Sequence, residues 1–118
     1  MSKIKQLAYL LTFLLLLSSC TKVKKEYFEN GNIKSQIEYT GDVKNGKAIW
    51  FFENGVKQIE TQYVNDKIEG ALKRWFFNGN INVIEHYTNG LLHGEKKLWD
   101  KDGNLMEVSN YKEGKLVS

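Results

Sequence analysis

At 118 residues the chain has room for one modest domain or one short array, and its net charge of +3 rests on 17 basic and 14 acidic residues. Taking Lys3 and Lys5 of the leader away from the 17 leaves 15 basic against 14 acidic residues, a balance that excludes strong electrostatic attraction to nucleic acid. Cys20 is the single cysteine, so an intrachain disulfide and a thiolate metal site are both excluded.

The chain opens with a tripartite leader. Lys3 and Lys5 form a positive start, Leu7 to Leu17 is apolar, and Leu17-Ser18-Ser19-Cys20 follows. This is the anatomy of a secretory signal, and the apolar run is short for a permanent span. The ending resembles the bacterial lipobox, in which the cysteine becomes the lipid-modified first residue of the mature protein. Residues 1–19 are therefore expected to be a helical lipoprotein signal peptide and Cys20 the lipidation site. Thr21 stands where an Asp would hold the protein at an inner membrane, which favours an outer membrane if the host has two. The expected address is the bacterial cell envelope, facing the periplasm or the exterior. Acyl chains contribute about 0.8 kcal/mol per buried methylene, enough for several chains to hold the protein at a bilayer. Residues 20–26 are polar and aperiodic and read as the lipidated tether, with Lys22, Lys24 and Lys25 able to meet anionic headgroups.

From residue 27 to residue 118 the chain repeats itself every 24 residues. Asn30-Gly31, Asn54-Gly55, Asn78-Gly79 and Asp102-Gly103 form one column. Tyr39, Tyr63, Tyr87 and Tyr111 form a second, Gly46, Gly70 and Gly94 a third, and Tyr27, Phe51, Trp75 and Trp99 a fourth. Asn-Gly and Asp-Gly tolerate positive φ at both central positions of a type I′ turn, so each pair predicts a two-residue hairpin. After each turn apolar and polar residues alternate, as in Ile33, Ile37 and Tyr39 against Lys34, Gln36 and Glu38, the pattern of a half-buried strand. A second turn recurs at Gly41-Asp42, Asn65-Asp66, Asn89-Gly90 and Glu113-Gly114, and proline is absent throughout. The fold class is all-β: an elongated antiparallel β-meander of four 24-residue hairpin repeats, with about seven or eight strands. The glycine column marks a place where a neighbouring ring or backbone comes close.

Aromatic residues on consecutive positions, Trp50-Phe51-Phe52 and Trp75-Phe76-Phe77, put rings on both faces of the sheet. Most of them pack the sheet. Those left exposed would form a binding surface, and Trp50, Phe52, Arg74, Trp75, Phe77 and Trp99 are its candidates, rimmed by Lys73, Gln58 and Gln62.

At Leu91-Leu92-His93-Gly94 the repeat unit, Tyr-x-Asn-Gly-x-x-x-Gly followed by an aromatic and then Asn-Gly, resembles MORN repeats. It is closest to the variant found in the YwqK-like antitoxin family, over roughly Tyr27 to Leu116. Asn65-Asp66 and Gly41-Asp42 depart from the Asn-Gly pattern. The resemblance implies a non-catalytic protein-interaction module with an immunity or antitoxin role against a toxin. A structural lipoprotein touching membrane lipid or cell-wall glycan is the alternative, and the open sheet edges allow edge-to-edge self-association.

No catalytic constellation stands out, and no metal or cofactor is expected. Asp100-Lys101-Asp102-Gly103-Asn104 looks like a calcium loop, but Leu105 and Tyr111 occupy the positions where an EF-hand needs Gly and Glu. His86 and His93 fall short of the three or four ligands zinc requires. Glu38, Glu60 and Glu85 read as a solvated strand face.

Overall fold

The computed structural model describes residues 20–118. The expected signal peptide, residues 1–19 with Leu17, Ser18 and Ser19, lies outside the described residues. All described secondary structure is β: β1 (Thr21–Tyr27), β2 (Ile33–Thr40), β3 (Val43–Phe51), β4 (Lys57–Val64), β5 (Lys67–Ile68), β6 (Gly70–Trp75), β7 (Ile81–Thr88), β8 (Leu91–Leu92), β9 (Gly94–Trp99), β10 (Leu105–Lys112) and β11 (Lys115–Leu116). They form one antiparallel sheet whose neighbours follow chain order, β1-β2-β3-β4-β6-β7-β9-β10-β11, with β5 paired to β4 and β8 to β7. This is the expected meander. Nine strands on the path at about 4.8 Å spacing make a ribbon roughly 40 Å across.

The eleven strands exceed the expected seven or eight because breaks at Glu69 and His93 set β5 apart from β6 and β8 apart from β9, and because β1 and β11 also pair. Two further features differ from the sequence reading. Residues 20–26 are not a tether, because β1 begins at Thr21 and pairs with β2 from Thr21↔Thr40 to Tyr27↔Ile33. All seven side chains of β1 are exposed, so no burial pattern marks it, and backbone hydrogen bonds hold it in place. The turns also exchange chemistry. At Asn30-Gly31, Gly31 N–H donates to Phe28 C=O (3.0 Å), Phe28 N–H donates to Asn32 C=O (2.8 Å), and only the glycine has positive φ, +89°. That is a three-residue loop, a type I turn closed by a glycine bulge. The same bonds recur at Gly55, Gly79 and Gly103. The two-residue turns with positive φ at both positions are Asn65-Asp66, Asn89-Gly90 and Glu113-Gly114.

The asparagines join one repeat to the next. Asn30 Oδ1 accepts from Asn32 N–H (2.9 Å) within its own turn, and its amide donates to Glu53 C=O (3.0 Å) in the following turn. Asn54 donates to Phe77 C=O (3.1 Å) and Asn78 to Lys101 C=O (2.9 Å). In the fourth turn Asp100 takes over the capping: its carboxylate accepts from the N–H groups of Asp102 and Asn104, both at 2.9 Å. The Asn104 backbone and side-chain bonds hold the Asp100 carboxyl below the usual carboxylate range. Asn54→Asp keeps the acceptor for Val56 but sets a carboxylate against the Phe77 carbonyl. Its urea midpoint is expected to fall by an amount equivalent to about 1–2 kcal/mol, whereas Asp102→Asn stays within about 0.5 kcal/mol of the parent.

At the opposite rim the residue before each glycine of the Gly46, Gly70 and Gly94 column serves the next turn. Asn45 Oδ1 accepts from Asn65 N–H (3.4 Å), Glu69 Oε2 from Asn89 N–H (2.7 Å) and His93 Nδ1 from Glu113 N–H (3.3 Å). The register sorts side chains into two faces. One carries the rows Ser35-Trp50-Ile59-Arg74-Val83-Leu98 and Ile37-Ala48-Thr61, with Leu72, Glu85 and the tyrosine column. The other carries Gln36, Ile49, Glu60, Lys73, Ile84 and Lys97. Ala48, Leu72 and Val83 are buried on the tyrosine face and Ile49 on the other, which also carries Glu60, Lys73 and Lys97.

Candidate functional site

The tyrosine face gathers its polar and aromatic residues around Arg74. Each tyrosine after Tyr39 meets an aliphatic residue just beyond the two-residue turn, Tyr63↔Ile68, Tyr87↔Leu92 and Tyr111↔Leu116. Trp50 pairs with Ile59, and Ile59 with Arg74. Together Trp50, Ile59, Tyr63, Ile68, Leu72 and Arg74 line an open hollow of about 310 Å³. The Lys44 ammonium lies 5.1 Å from the centre of the Tyr63 ring at its margin, a cation–π contact. Arg74 also lines a second hollow, about 330 Å³, with Phe52, Ile59, Trp75, Phe76 and Phe77. Phe52 and Phe77 meet edge to face, 5.5 Å between centroids and 71° between planes, so adjacent repeats are also joined by rings.

Five of the six candidate surface residues, Trp50, Phe52, Arg74, Trp75 and Phe77, are thus brought together. Trp75 enters the second hollow despite its alternate strand parity, with the Lys57 ammonium 5.8 Å from its ring centre, and Trp99 lines neither hollow. Of the expected rim, Gln58 lines both hollows, and Lys73 and Gln62 face the other way. Sequence reading missed Tyr63, Ile68 and Lys44 as site residues. The signal was available: the position two past each two-residue turn reads Lys44, Ile68, Leu92, Leu116 in phase with the tyrosines.

Glu85 corrects an expectation. It is not on a solvated face but 8 % exposed, in a column whose other members are Ile37, Thr61 and Ser109. Its carboxylate pairs with Lys96 Nζ (3.1 Å) and accepts from Tyr87 Oη (2.9 Å). Burial, and next the carboxylate bond, push the Tyr87 phenol up to about 12. A folded-state value above the ordinary 10 favours the protonated form, so this contribution to stability is complete below pH 10 and is lost as pH rises towards 12. Ultraviolet titration should show a tyrosinate transition centred near pH 12 that Tyr87→Phe removes.

The other two carboxylates lie on the opposite face. Glu38 accepts from Lys47 N–H (3.0 Å), and Glu60 is paired with Lys57 at 2.5 Å, which holds its carboxyl low. His86 Nδ1 bonds Glu95 C=O (2.7 Å), so both histidines are tied into backbone contacts. Among the described residues no three of His, Cys, Asp and Glu converge as metal ligands. Cys20 carries an exposed thiol one residue before β1.

Arg74 is the free charge of the site. Among the described residues it has no ion-pair partner, and the buried carboxylate on its face, Glu85, is already held by Lys96 and Tyr87. The arrangement offers large ring surfaces, a free guanidinium and shallow relief, which suits contact with an extended chain. Neither the curated proteins nor the solved structures compared with the chain give a match. A family model described as "MORN repeat variant" matches four times, over residues 22–40, 44–65, 68–89 and 92–113. The first match takes in most of β1, in agreement with its place in the sheet. Sheet, turn phase and family model converge: the chain belongs to the MORN repeat variant family.

Proposed function

We propose that this repeat array is a non-catalytic protein-binding module carried on the bacterial envelope by a lipid on Cys20. One observation carries the reading: the tyrosine face holds tryptophan, tyrosine and arginine around open hollows, and no second layer of the described chain covers it. Those residue types dominate the energetics of protein interfaces. A rigid sheet held together repeat by repeat presents them with little ordering cost on binding. The absence of catalysis is part of the proposal. Glu38, Glu60 and Glu85 are each engaged in structural bonds, and Glu85 lies on the face opposite the other two.

Lipidation rests on the Leu17-Ser18-Ser19-Cys20 pattern and on the exposure of Cys20. Because β1 follows at once, an acylated Cys20 would seat that corner of the sheet against the headgroups, with Lys22, Lys24 and Lys25 beside them. The YwqK-like resemblance extends the proposal to an immunity role, with a toxin as the bound protein. Fatty-acid labelling of the parent is expected to mark the protein and of Cys20→Ala to leave it unmarked. Affinity capture by the full chain from envelope extracts should return one partner in stoichiometric amount, and repeated recovery of none contradicts the binding reading.

A further inference from the structure

We infer that the tyrosine face takes an extended acidic segment of its protein partner, with a carboxylate on Arg74 and apolar side chains in the two flanking hollows. This rests on the protein-binding reading above and adds the chemistry of what is bound.

Charge complementarity carries the inference. Strand register puts Lys22, Lys24, Arg74 and Lys96 on the tyrosine face, and Lys44 joins them through its contact with Tyr63. Of the carboxylates with the same parity, Glu26 and Glu107 sit on the outermost long strands. The central one, Glu85, is neutralised by Lys96. The middle of the face therefore has an uncompensated positive centre at Arg74, with Lys44 at the margin of the same hollow. On the opposite face Lys57 pairs with Glu60 and Lys97 with Glu95, and Lys73, which has no ion pair there, lines neither of these hollows.

Geometry selects the form of the ligand. Arg74 stands between the two hollows, so one carboxylate reaching it would have apolar space on either side. A guanidinium binds a carboxylate in bidentate fashion, with directionality that a lysine lacks. Apolar surroundings strengthen that bond once water is displaced. Both hollows are shallow and open, which fits side chains projecting from an extended backbone. The two-residue turns and the asparagine turns form opposite rims of the sheet, and the site lies between them.

The test pans a random-peptide display library against the immobilised full chain, then measures the selected peptides by fluorescence anisotropy. Enrichment of peptides combining Asp or Glu with apolar residues is expected. Arg74→Glu should weaken their binding by about 30-fold or more, the scale of a hot-spot residue. Arg74→Lys should recover part of the loss, and added salt should weaken the parent's binding. Lys73→Glu, adjacent in sequence but on the other face, should leave binding unchanged, and circular dichroism verifies that each variant keeps the sheet. Selection without acidic bias, no selection, or binding indifferent to Arg74→Glu overturns the inference. If envelope capture still returns a partner whose binding ignores Arg74→Glu, the acidic-segment inference fails while the binding module survives. Failure of both capture and panning removes the module as well.

Discussion

Gly46→Ala is expected to destabilise the array by about 2–4 kcal/mol, seen as a fall in thermal midpoint of roughly 10–20 °C. Two causes act together. Gly46 has φ +122°, a conformation that L side chains rarely adopt. An added Cβ would also stand 2.0 Å from Glu38 Oε2 and 2.9 Å from Glu38 Cβ. The carboxylate can swing away, but that forfeits its bond to Lys47 N–H, and the Glu38 Cβ cannot move without the strand. Gly70 separates the causes, since its φ is +87° and a Cβ there meets nothing within 4 Å. Gly70→Ala should cost only the backbone strain, about 1–2 kcal/mol. In the Glu38→Ala background the penalty of Gly46→Ala should shrink towards that of Gly70→Ala, a coupling that a double-mutant cycle measures.

The second large effect is expected at Glu85. Lys96→Leu leaves a carboxylate that is 8 % exposed without its cation, and Glu85→Ala strands a lysine and a phenol. Each should cost about 2–4 kcal/mol by chemical denaturation. The repeat itself supplies the rescue, because Thr61 and Leu72 occupy the positions of Glu85 and Lys96 one repeat earlier. Glu85→Thr combined with Lys96→Leu transplants that apolar junction and should return stability to within about 1 kcal/mol of the parent, or above it. The same double variant should move the tyrosinate transition down from pH 12, because the carboxylate bond that helps raise it is gone, while burial, the larger cause, keeps it above the ordinary 10. Retention of that transition would mean that burial alone sets the Tyr87 phenol.

Period, phase and meander were legible in the sequence because they are local. A turn dipeptide every 24 residues and alternation between turns leave few other ways to fold. What escaped was non-local. β1 is exposed along its whole length and is fixed by backbone pairing, which leaves no trace in its side chains. Asn-Gly suits both kinds of hairpin. The longer loop occurs where the asparagine amide must reach the next repeat's carbonyl, 23 residues on. Glu85 looked like any polar strand residue, and its burial comes from Lys96 and Tyr87 closing around it.

The candidate surface was legible in kind but not in placement. Consecutive aromatics announce rings on both faces, yet only the folded sheet shows that Trp50 shares one hollow with Arg74, that Trp75 shares the other, and that Trp99 lines neither. The glycine column was expected to mark close approach, and at Gly46 the neighbour is the Glu38 side chain. The cross-strand partners of Gly46, Gly70 and Gly94 are Tyr63, Tyr87 and Tyr111, so the two columns seen in the sequence are one structural pair.

Residue-specific labelling in the presence of the captured partner reads out which face of the sheet is covered. Arginine- and lysine-directed reagents, read by mass spectrometry, distinguish Arg74 and Lys44 on the tyrosine face from Lys47 and Lys73 on the other. The partner is expected to protect Arg74 and Lys44 and to leave Lys47 and Lys73 as reactive as in the free protein. Protection of Lys47 and Lys73 with Arg74 still reactive would contradict binding on the tyrosine face.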